Sequence, residues 1–252
     1  MTNISQNFKR VLSLINQFMT HSEGNIWFRG HSNIGENGEH EDYKLSSTLF
    51  RRSQDLEYIR QLEINYIYEF MTKGYSLHQT KDEWDLLYIM QHHGTPTRLL
   101  DWTTSLSVAI YFATRNWNPK KNTPTIWFLD PAKLNETLID TTFLEVPSNY
   151  NFNKYVEREN LPSRAIAPNY NSNRLIAQQG QFTLQGNTIN DLEKELALKK
   201  THYTDILDKI ELTEDIYYDV GSFLHMNGID DFTVYPDLDG LSKLIKNRKG
   251  FR

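Results

Sequence analysis

Polar side chains that could hold a phosphate or a ribose are concentrated in residues 91–114, QHHGTPTRLLDWTTSLSVAIYFAT. His92, His93, Arg98 and Asp101 come immediately before a stretch that contains no charged side chain. Groups of this kind cost several kcal/mol when they are buried without partners. Their density against an apolar segment predicts a binding or catalytic site, because packing alone does not require so many polar groups.

The same run predicts an extended segment at residues 98–100 and then a core helix that starts near residue 105. The helix start offers hydroxyl groups and unpaired backbone N–H groups, which together favour an anion or a ribose. The residues expected to gather at this place are Arg98, Asp101, Trp102, Thr103, Thr104 and Ser105.

Each of these residues also has a purely structural interpretation. Arg98 and Asp101 can form a buried ion pair that fixes the turn. Thr104 and Ser105 can act only as helix caps. His92 and His93 are adjacent, so their side chains point in different directions and a shared metal is not expected.

Two further segments carry candidate site residues. In NIWFRG, an apolar strand leads into Arg29 and then Gly30, which lets a ligand or a backbone approach closely, so Arg29 is a candidate clamp for a phosphate or carboxylate. The alternative is a strand-end arginine that pairs with a surface acid. In RLIAQQGQFTLQG, residues 174–186, we predict one strand with a bulge or a close ligand approach at Gly180.

The composition is that of an ordinary globular protein. The 252 residues are 38% hydrophobic and 13% aromatic, with no cysteine and a formal charge of -5. This excludes disulfides and cysteine-based metal sites, and it argues against nucleic-acid binding by bulk charge, although a local basic groove stays possible. With no transmembrane run and no signal peptide, we expect a cytoplasmic protein without a membrane partner.

Periodicity predicts most of the other elements. A helix opens the chain, a mobile loop and possible lid spans His31–Lys44, and Thr80 with Glu83 forms a capping box. We expect a long surface excursion at 145–173. The remaining elements are predicted as helices at 55–71, 191–198 and after Thr213, and as strands at 124–130 and 206–212.

Four motifs together resemble the FRG domain, named for its Phe-Arg-Gly motif. They are WFRGHS at 27–32, QHHGTPTRLLDWTTSLSVAIYFA at 91–113, RLIAQQGQF at 174–182 and YPDLDGL at 235–241. Their order and spread imply one FRG domain over residues 1–252, with residues 1–23 as a possible accessory helix.

A more distant resemblance is to ADP-ribosyltransferases of the Arg-Ser-Glu type, carried by Phe28-Arg29-Gly30 and by the Ser/Thr-rich segment that enters an SxxVAxxFA helix. It implies an α+β fold with a small, split and curved mixed or antiparallel sheet around a cleft. It also implies NAD as substrate, no metal, and a bacterial toxin or phage-defence effector that modifies RNA, DNA or protein under the control of an antitoxin or regulatory protein.

The resemblance also suggests residue roles. Arg29, Thr104, Gln178, Gln179 and Asp101 are the expected catalytic residues. NAD-binding roles are expected for Phe28, Gly30, His31, His92, His93, Arg98, Trp102, Thr103, Ser105 and Gln181. We expect Arg29, Arg98, Asp101, Thr104 and the glutamines to converge on the cleft.

The sequence departs from that enzyme pattern at its third segment. The enzymes have a glutamate there, where this chain has Gln178, Gln179 and Gln181. Either Asp101 supplies the negative charge, or transfer is absent or altered. The alternatives are therefore a non-catalytic nucleotide-sensing or interaction module, a nuclease that uses His92, His93 and Asp101, and a purely structural protein.

Overall fold

The computed structural model describes residues 4–22, 25–34, 40–80, 82–147, 152 and 160–248. The helices in these ranges are α1 Gln6–His21, α2 Leu56–His78, α3 Glu83–His92, α4 Leu106–Thr114, α5 Pro131–Ile139, α6 Asn173–Ala177, α7 Leu192–Lys199, α8 Tyr217–Met226, α9 Asp231–Val234 and α10 Leu238–Arg248, with a 3-10 turn at Glu214–Ile216. The strands are β1 Trp27–His31, β2 Leu99–Thr103, β3 Thr125–Leu129, β4 Arg164–Ile166, β5 Gly180–Leu184 and β6 Leu207–Glu211.

The strands form one open sheet in the order β4-β5-β2-β1-β3-β6, and every strand pairing is antiparallel. This confirms the predicted α+β class and realises the antiparallel version of the predicted sheet. The central pairing is weak, because β1 and β2 are in register only at Phe28 and Thr103, whereas β1–β3 and β2–β5 pair along five residues each. The two halves of the sheet therefore diverge between β1 and β2.

Helices cover both faces of the sheet, as the strand burial requires. On one face α1, α4 and α8 pack against Phe28, Ile126 and Phe128. On the other face a second cluster forms around Trp27 and Trp102. Because both faces are covered, the β1 backbone that carries Arg29 is fixed by packing and largely shielded from water.

Helix α4 lies directly on β1, and Gly30 makes that contact possible. A Cβ atom at Gly30 would lie 1.9 Å from the backbone oxygen of Ala109 and 2.6 Å from the backbone nitrogen of Ala113. Of the two close approaches predicted for this glycine, that of a ligand and that of a backbone, the structure realises the backbone approach. Ser105 caps α4 and accepts a hydrogen bond from the N–H of Val108.

Several sequence predictions need correction. Residues 174–186 are not one strand, since helix α6 comes first and Gln179, at a left-handed φ of 47°, turns the chain into β5. The cap of α3 is Asp82 rather than Thr80, because Asp82 accepts from two backbone N–H groups. Thr213 makes no side-chain cap. The 145–173 segment is not wholly superficial, because the β4 residues Ala165 and Ile166 are fully buried.

The predicted loop after β1 is also anchored at its start. His31 ends the strand and is buried, and the buried Asn33 side chain donates to the Oγ1 atom of Thr125 over 2.8 Å. Residues 35–39, the centre of the predicted lid, lie outside the described residues, as does Gly24.

Candidate functional site

A cleft of about 430 Å³ opens where β1 and β2 diverge. It is an open depression of the size that small-molecule sites usually have. The predicted site residues that line it are Phe28, Arg29, Gly30, His31, Asp101, Trp102, Thr103 and Gln178. Segments far apart in the chain therefore share one cleft. Of the residues expected to converge there, Arg29, Asp101 and Gln178 line it, whereas Arg98, Thr104, Gln179 and Gln181 do not.

Arg29 bridges the gap between the two central strands. Its Nη1 atom donates to the backbone oxygen of Asp101 over 2.5 Å, and its Nε atom donates to the Nε2 atom of His31 over 2.8 Å. Its side chain is 17% exposed. Burial lowers the pKa of Arg29 to about 10, and the neighbouring Arg51 also lowers it, while Asp101 opposes the shift. The guanidinium thus stays charged at neutral pH with part of its surface free for a ligand.

His31 holds Arg29 as a neutral imidazole. Burial lowers the pKa of His31 well below 6.5, and the positive charges of Arg29, Arg51 and Lys209 lower it further. A neutral ring that accepts at Nε2 carries its hydrogen on Nδ1. That Nδ1 atom is buried without a hydrogen-bond partner among the described residues. His31 therefore orients the guanidinium without adding a second charge beside it.

Asp101 is the only carboxylate among the described residues that line the cleft. It is 56% exposed, and its Oδ2 atom lies 3.8 Å from Nη1 of Arg29. The amide of Gln91 donates to the same Oδ2 atom over 2.8 Å, and Gln91 is fixed in turn by the hydroxyl of Thr97 at 2.5 Å. The negative charge is oriented but still accessible.

Positive charge exceeds negative charge in the cleft. Three more arginines line it, namely Arg51, Arg115 and Arg174, and aromatic rings accompany them. The Cζ atom of Arg51 lies 5.6 Å from the ring centroid of Tyr43. Guanidinium groups held against rings combine anion recognition with a flat surface for stacking. The arrangement fits a phosphate-bearing ligand with planar groups.

Residues 24–122 match the family model of the FRG domain. This match supports the FRG family. It ends before β3, so four of the six strands in the described sheet lie beyond it. Comparisons with curated proteins and with solved structures give no significant match.

Both central strands lie inside the FRG match, together with Arg29, Asp101 and, close to its end, Arg115. Arg174 comes after the end of the match. Arg115 stands at the end of α4 and Arg174 in α6. The cleft is thus completed by residues from outside the matched segment.

The prediction that Arg98 lies in the cleft is wrong. Its side chain is 1% exposed and forms a salt bridge with Glu63 of α2, which is 2% exposed. Arg98 also donates to the backbone oxygen of Gln185 over 3.0 Å and to Asn187 over 3.1 Å. The structural interpretation of Arg98 is correct, but its partner is Glu63 rather than Asp101.

The hydroxyl groups next to the cleft are used differently from the prediction. Thr103 lines the cleft, and its hydroxyl donates to the backbone oxygen of Gln178 over 2.6 Å. Thr104 instead faces outward and bonds to the side chain of Gln179 at 3.1 Å. Ser105 serves as the helix cap and does not line the cleft.

The glutamines separate in the same way. Gln178 lines the cleft, although its amide donates to the backbone oxygen of Val234 over 3.2 Å. Gln181 donates to the hydroxyl of Tyr170 over 2.7 Å and lies outside the cleft lining, as does Gln179. The turn at Gln179 separates the three side chains, which sequence spacing alone could not reveal.

The two histidines lie beside the cleft rather than in it. His92 lines a small neighbouring pocket of about 50 Å³ that shares Asp101, Arg174 and Gln178 with the cleft. His93 lies on the other side, in an apolar groove with Phe70. Burial and the charges of Arg174 and His93 lower the pKa of His92.

Two other predicted residues, Phe28 and Trp102, line the cleft but direct their side chains into the core. The side chains of Phe28 and Trp102 belong to the hydrophobic clusters on opposite faces of the sheet. The indole N–H of Trp102 donates to Thr183 over 3.0 Å.

Within the described residues, no group of three or more His, Asp or Glu side chains is arranged to hold a metal ion. No helix among them has the length and apolar character to cross a bilayer.

Sequence reasoning missed half of the cleft lining. The additional residues are Ser32, Tyr43, Arg51, Gln91, Phe112, Arg115, Arg174 and Tyr235. Five of these residues stand inside the quoted motifs, namely Ser32, Gln91, Phe112, Arg174 and Tyr235. Arg115 is the first charge after the apolar helix, so it also had a usable signal. Arg51 had none, because it lies in an irregular segment before α2.

Proposed function

We propose that this protein is an ADP-ribosyltransferase-like enzyme that transfers ADP-ribose from NAD to a macromolecule. The observation that supports the proposal best is a cleft in which guanidinium groups surround an exposed carboxylate, that of Asp101. Arg29 and Arg51 provide positive charge next to Asp101. A dinucleotide needs these two elements, a cation for its pyrophosphate and an anion for the reacting ribose.

The guanidiniums suit the pyrophosphate. Arg29 is oriented by two hydrogen bonds, to His31 and to the backbone of Asp101, so little conformational freedom is lost when it binds an anion. Charge-assisted hydrogen bonds from a guanidinium to phosphate oxygens are among the stronger polar contacts in proteins. A partly exposed, prepositioned arginine of this kind supports an assignment to pyrophosphate binding.

Asp101 takes the role of the glutamate that the third segment lacks. In the reaction the bond between C1′ of the ribose and the nicotinamide nitrogen breaks, and nicotinamide leaves with the electron pair. Positive charge develops on C1′ and the ring oxygen, and a nearby carboxylate stabilises it. A nucleophilic atom of the acceptor then bonds to C1′ and gives its proton to Asp101 or to water.

The second candidate is a nucleotide-binding module without turnover. It is supported by the glutamines, which are engaged with the protein itself through Val234, Thr104 and Tyr170. It predicts binding of NAD or a related nucleotide with no release of nicotinamide. In that case the cleft would act as a sensor, with the same arginines in the same roles.

The deciding experiment incubates the purified protein with NAD and cell lysate, and measures both nicotinamide release and ADP-ribose on macromolecules. We expect activity in the wild type and a loss of roughly 100-fold in Asp101→Asn, which removes charge but keeps an acceptor for Gln91. Asp140→Asn is the matched control, since Asp140 is an exposed left-handed helix cap that asparagine tolerates. Nucleotide binding by the wild type without any nicotinamide release would favour the sensor.

A further inference from the structure

One wall of the cleft is formed by a compact group that the bond chemistry above does not use. We name it the rim cluster, and it consists of Phe112, Arg115, Arg174 and Tyr235. These residues come from α4, its C-terminal end, α6 and the segment after α9. We propose that the rim cluster binds an unpaired nucleotide of a single-stranded nucleic acid, which is the acceptor of the transfer; this inference rests on the proposed function.

The geometry of the rim cluster is that of arginines held on aromatic rings. The Cζ atom of Arg174 lies over Tyr235 at 4.5 Å from the ring centroid, and that of Arg115 lies over Phe112 at 5.6 Å. Arg115 also donates to the Tyr235 hydroxyl over 3.0 Å. The four side chains therefore form one connected surface rather than separate contacts.

Neither guanidinium of the rim cluster is neutralised by the part of the chain that the structure describes. The polar partners found for them are uncharged, the hydroxyl of Tyr235 for Arg115 and the backbone oxygen of His92, at 3.4 Å, for Arg174. Arg98 is the opposite case, with a buried carboxylate on it. Two cations without counter-charges at an open cleft favour an anionic ligand.

The position of Asp101 assigns NAD to one part of the cleft and leaves the rim cluster free. Asp101 faces the reacting ribose in the proposed reaction, so the neighbouring pyrophosphate falls to Arg29 and Arg51. Asp101 lies next to those two arginines, since its charge acts on the pKa of both. Arg115 and Arg174 then remain for the phosphates of a second molecule, which is the position an acceptor must take.

The aromatic rings indicate which acceptor this is. Bases of an unpaired strand stack on aromatic rings and on guanidinium planes while arginines hold the backbone, whereas the bases of a duplex are inaccessible to such a surface. An acidic protein segment would use the charges of the rim cluster but not its flat rings. The formal charge of -5 makes non-specific attraction to duplex weak, so the local cluster has to supply the affinity.

The test measures binding of fluorescent single-stranded DNA and RNA oligonucleotides of mixed sequence, by anisotropy and without NAD. The variant Arg115→Gln/Arg174→Gln removes both guanidiniums, and Tyr235→Leu removes the ring. The control Arg52→Gln/Lys120→Gln removes the same charge from exposed positions outside the cleft lining. Thermal melting checks that each variant is folded.

We expect the wild type to bind single strands better than the same sequences as duplex. The double arginine variant should bind at least about tenfold more weakly, and its log–log salt slope should fall by about 0.7 for each lost phosphate contact. The control should keep the wild-type affinity. Detection of ADP-ribose on the oligonucleotide after addition of NAD would support the role of the single strand as the acceptor.

Three results would overturn the inference. They are no binding of single strands, equal losses in variant and control, or ADP-ribose in the lysate that protease removes entirely and nuclease does not. Nicotinamide release by the wild type is recorded separately. If release persists while no strand binds, only the acceptor inference fails. If strands bind at the rim cluster but nicotinamide is never released, the transferase proposal fails and the strand site stands.

Discussion

Arg29 lies in the middle of β1 and Arg98 directly precedes β2, so both belong to the central strands of one sheet, yet their surroundings differ in every respect that matters for function. Arg98 is 1% exposed and opposes a carboxylate that is 2% exposed, whereas Arg29 is 17% exposed and opposes a carboxylate that is 56% exposed. Arg98 has its charge matched within the core. Arg29 shares an open cleft with three more arginines and one acid.

The difference shows how to distinguish a structural arginine from a binding one. A buried ion pair with all its donors satisfied leaves nothing for a ligand, and it mainly fixes the packing of the helix and strand that supply it. Arg29 donates its hydrogen bonds to a backbone oxygen and a neutral imidazole, and its acid, Asp101, is largely exposed at 3.8 Å, so the guanidinium is positioned but can still bind a ligand. The first kind of site responds to mutation in stability, and the second responds in ligand binding.

The largest effect is expected when the buried pair is broken. Glu63→Gln leaves the charge of Arg98 uncompensated in the core and should lower the free energy of unfolding by about 3–5 kcal/mol. Denaturant titration measures this. The control Glu69→Gln, on the exposed face of the same helix where Glu69 pairs with Lys73, should cost only about 0.5 kcal/mol. If Glu63→Gln lost little unfolding free energy, the Arg98–Glu63 pair would not be the contact that fixes the packing of α2 on the sheet.

Replacing both members of the Arg98–Glu63 pair tests whether the uncompensated charge causes the loss of stability. Glu63→Leu combined with Arg98→Met removes both charges and keeps similar volume, so it should recover most of the stability that Glu63→Gln loses. If the double variant is folded but no longer binds nucleotide, Arg98 has a role in the ligand site after all.

The second effect concerns activity. Arg29→Gln should reduce nicotinamide release by about 100- to 1,000-fold, because the oriented charge that holds the pyrophosphate is gone. The melting temperature should change far less than in Glu63→Gln. Arg52→Gln, an exposed neighbour of Arg51, is the control for loss of one positive charge. Full activity in Arg29→Gln would rule out the clamp role.

The smallest effect is a pH dependence that originates at His31. Its pKa in the folded protein is lowered well below 6.5, so the unfolded chain binds one more proton in the interval between the two values. The stability contributed by the neutral ring is present above pH 6.5 and is lost as the pH falls toward the folded-state pKa. The slope amounts to about 1.4 kcal/mol per pH unit for one proton.

The measurement compares unfolding free energies between pH 4 and 7 for the wild type and His31→Gln, a change that keeps an acceptor for Nε of Arg29. The variant should show a shallower loss of stability below pH 6.5. His202→Gln, at an exposed position, is the control for the substitution itself. Identical slopes in His31→Gln and wild type would contradict the assignment.

Local chemistry allowed much of the fold to be predicted. Apolar runs and caps located β1, α4 and β3, and the close approach of a backbone to Gly30 was among the expected alternatives. The largest error, a single strand over 174–186, arose because a left-handed residue at Gln179 separates a short helix from a strand. A non-glycine in that conformation leaves little trace in a single sequence.

The functional site could be predicted only in part, because its geometry depends on contacts between distant segments. The sequence by itself determined which residue types could do chemistry and that Arg29 follows the apolar residues Trp27 and Phe28 on a strand, although the strand continues to His31 rather than ending at Arg29. Only the tertiary structure decided that Arg98 faces Glu63, that Thr103 rather than Thr104 turns toward the cleft, and that Arg51, Arg115 and Arg174 join it. The physical reason is that charge pairing depends on distances between distant segments, and those distances are set by how β1 and β2 diverge under the helices packed on them.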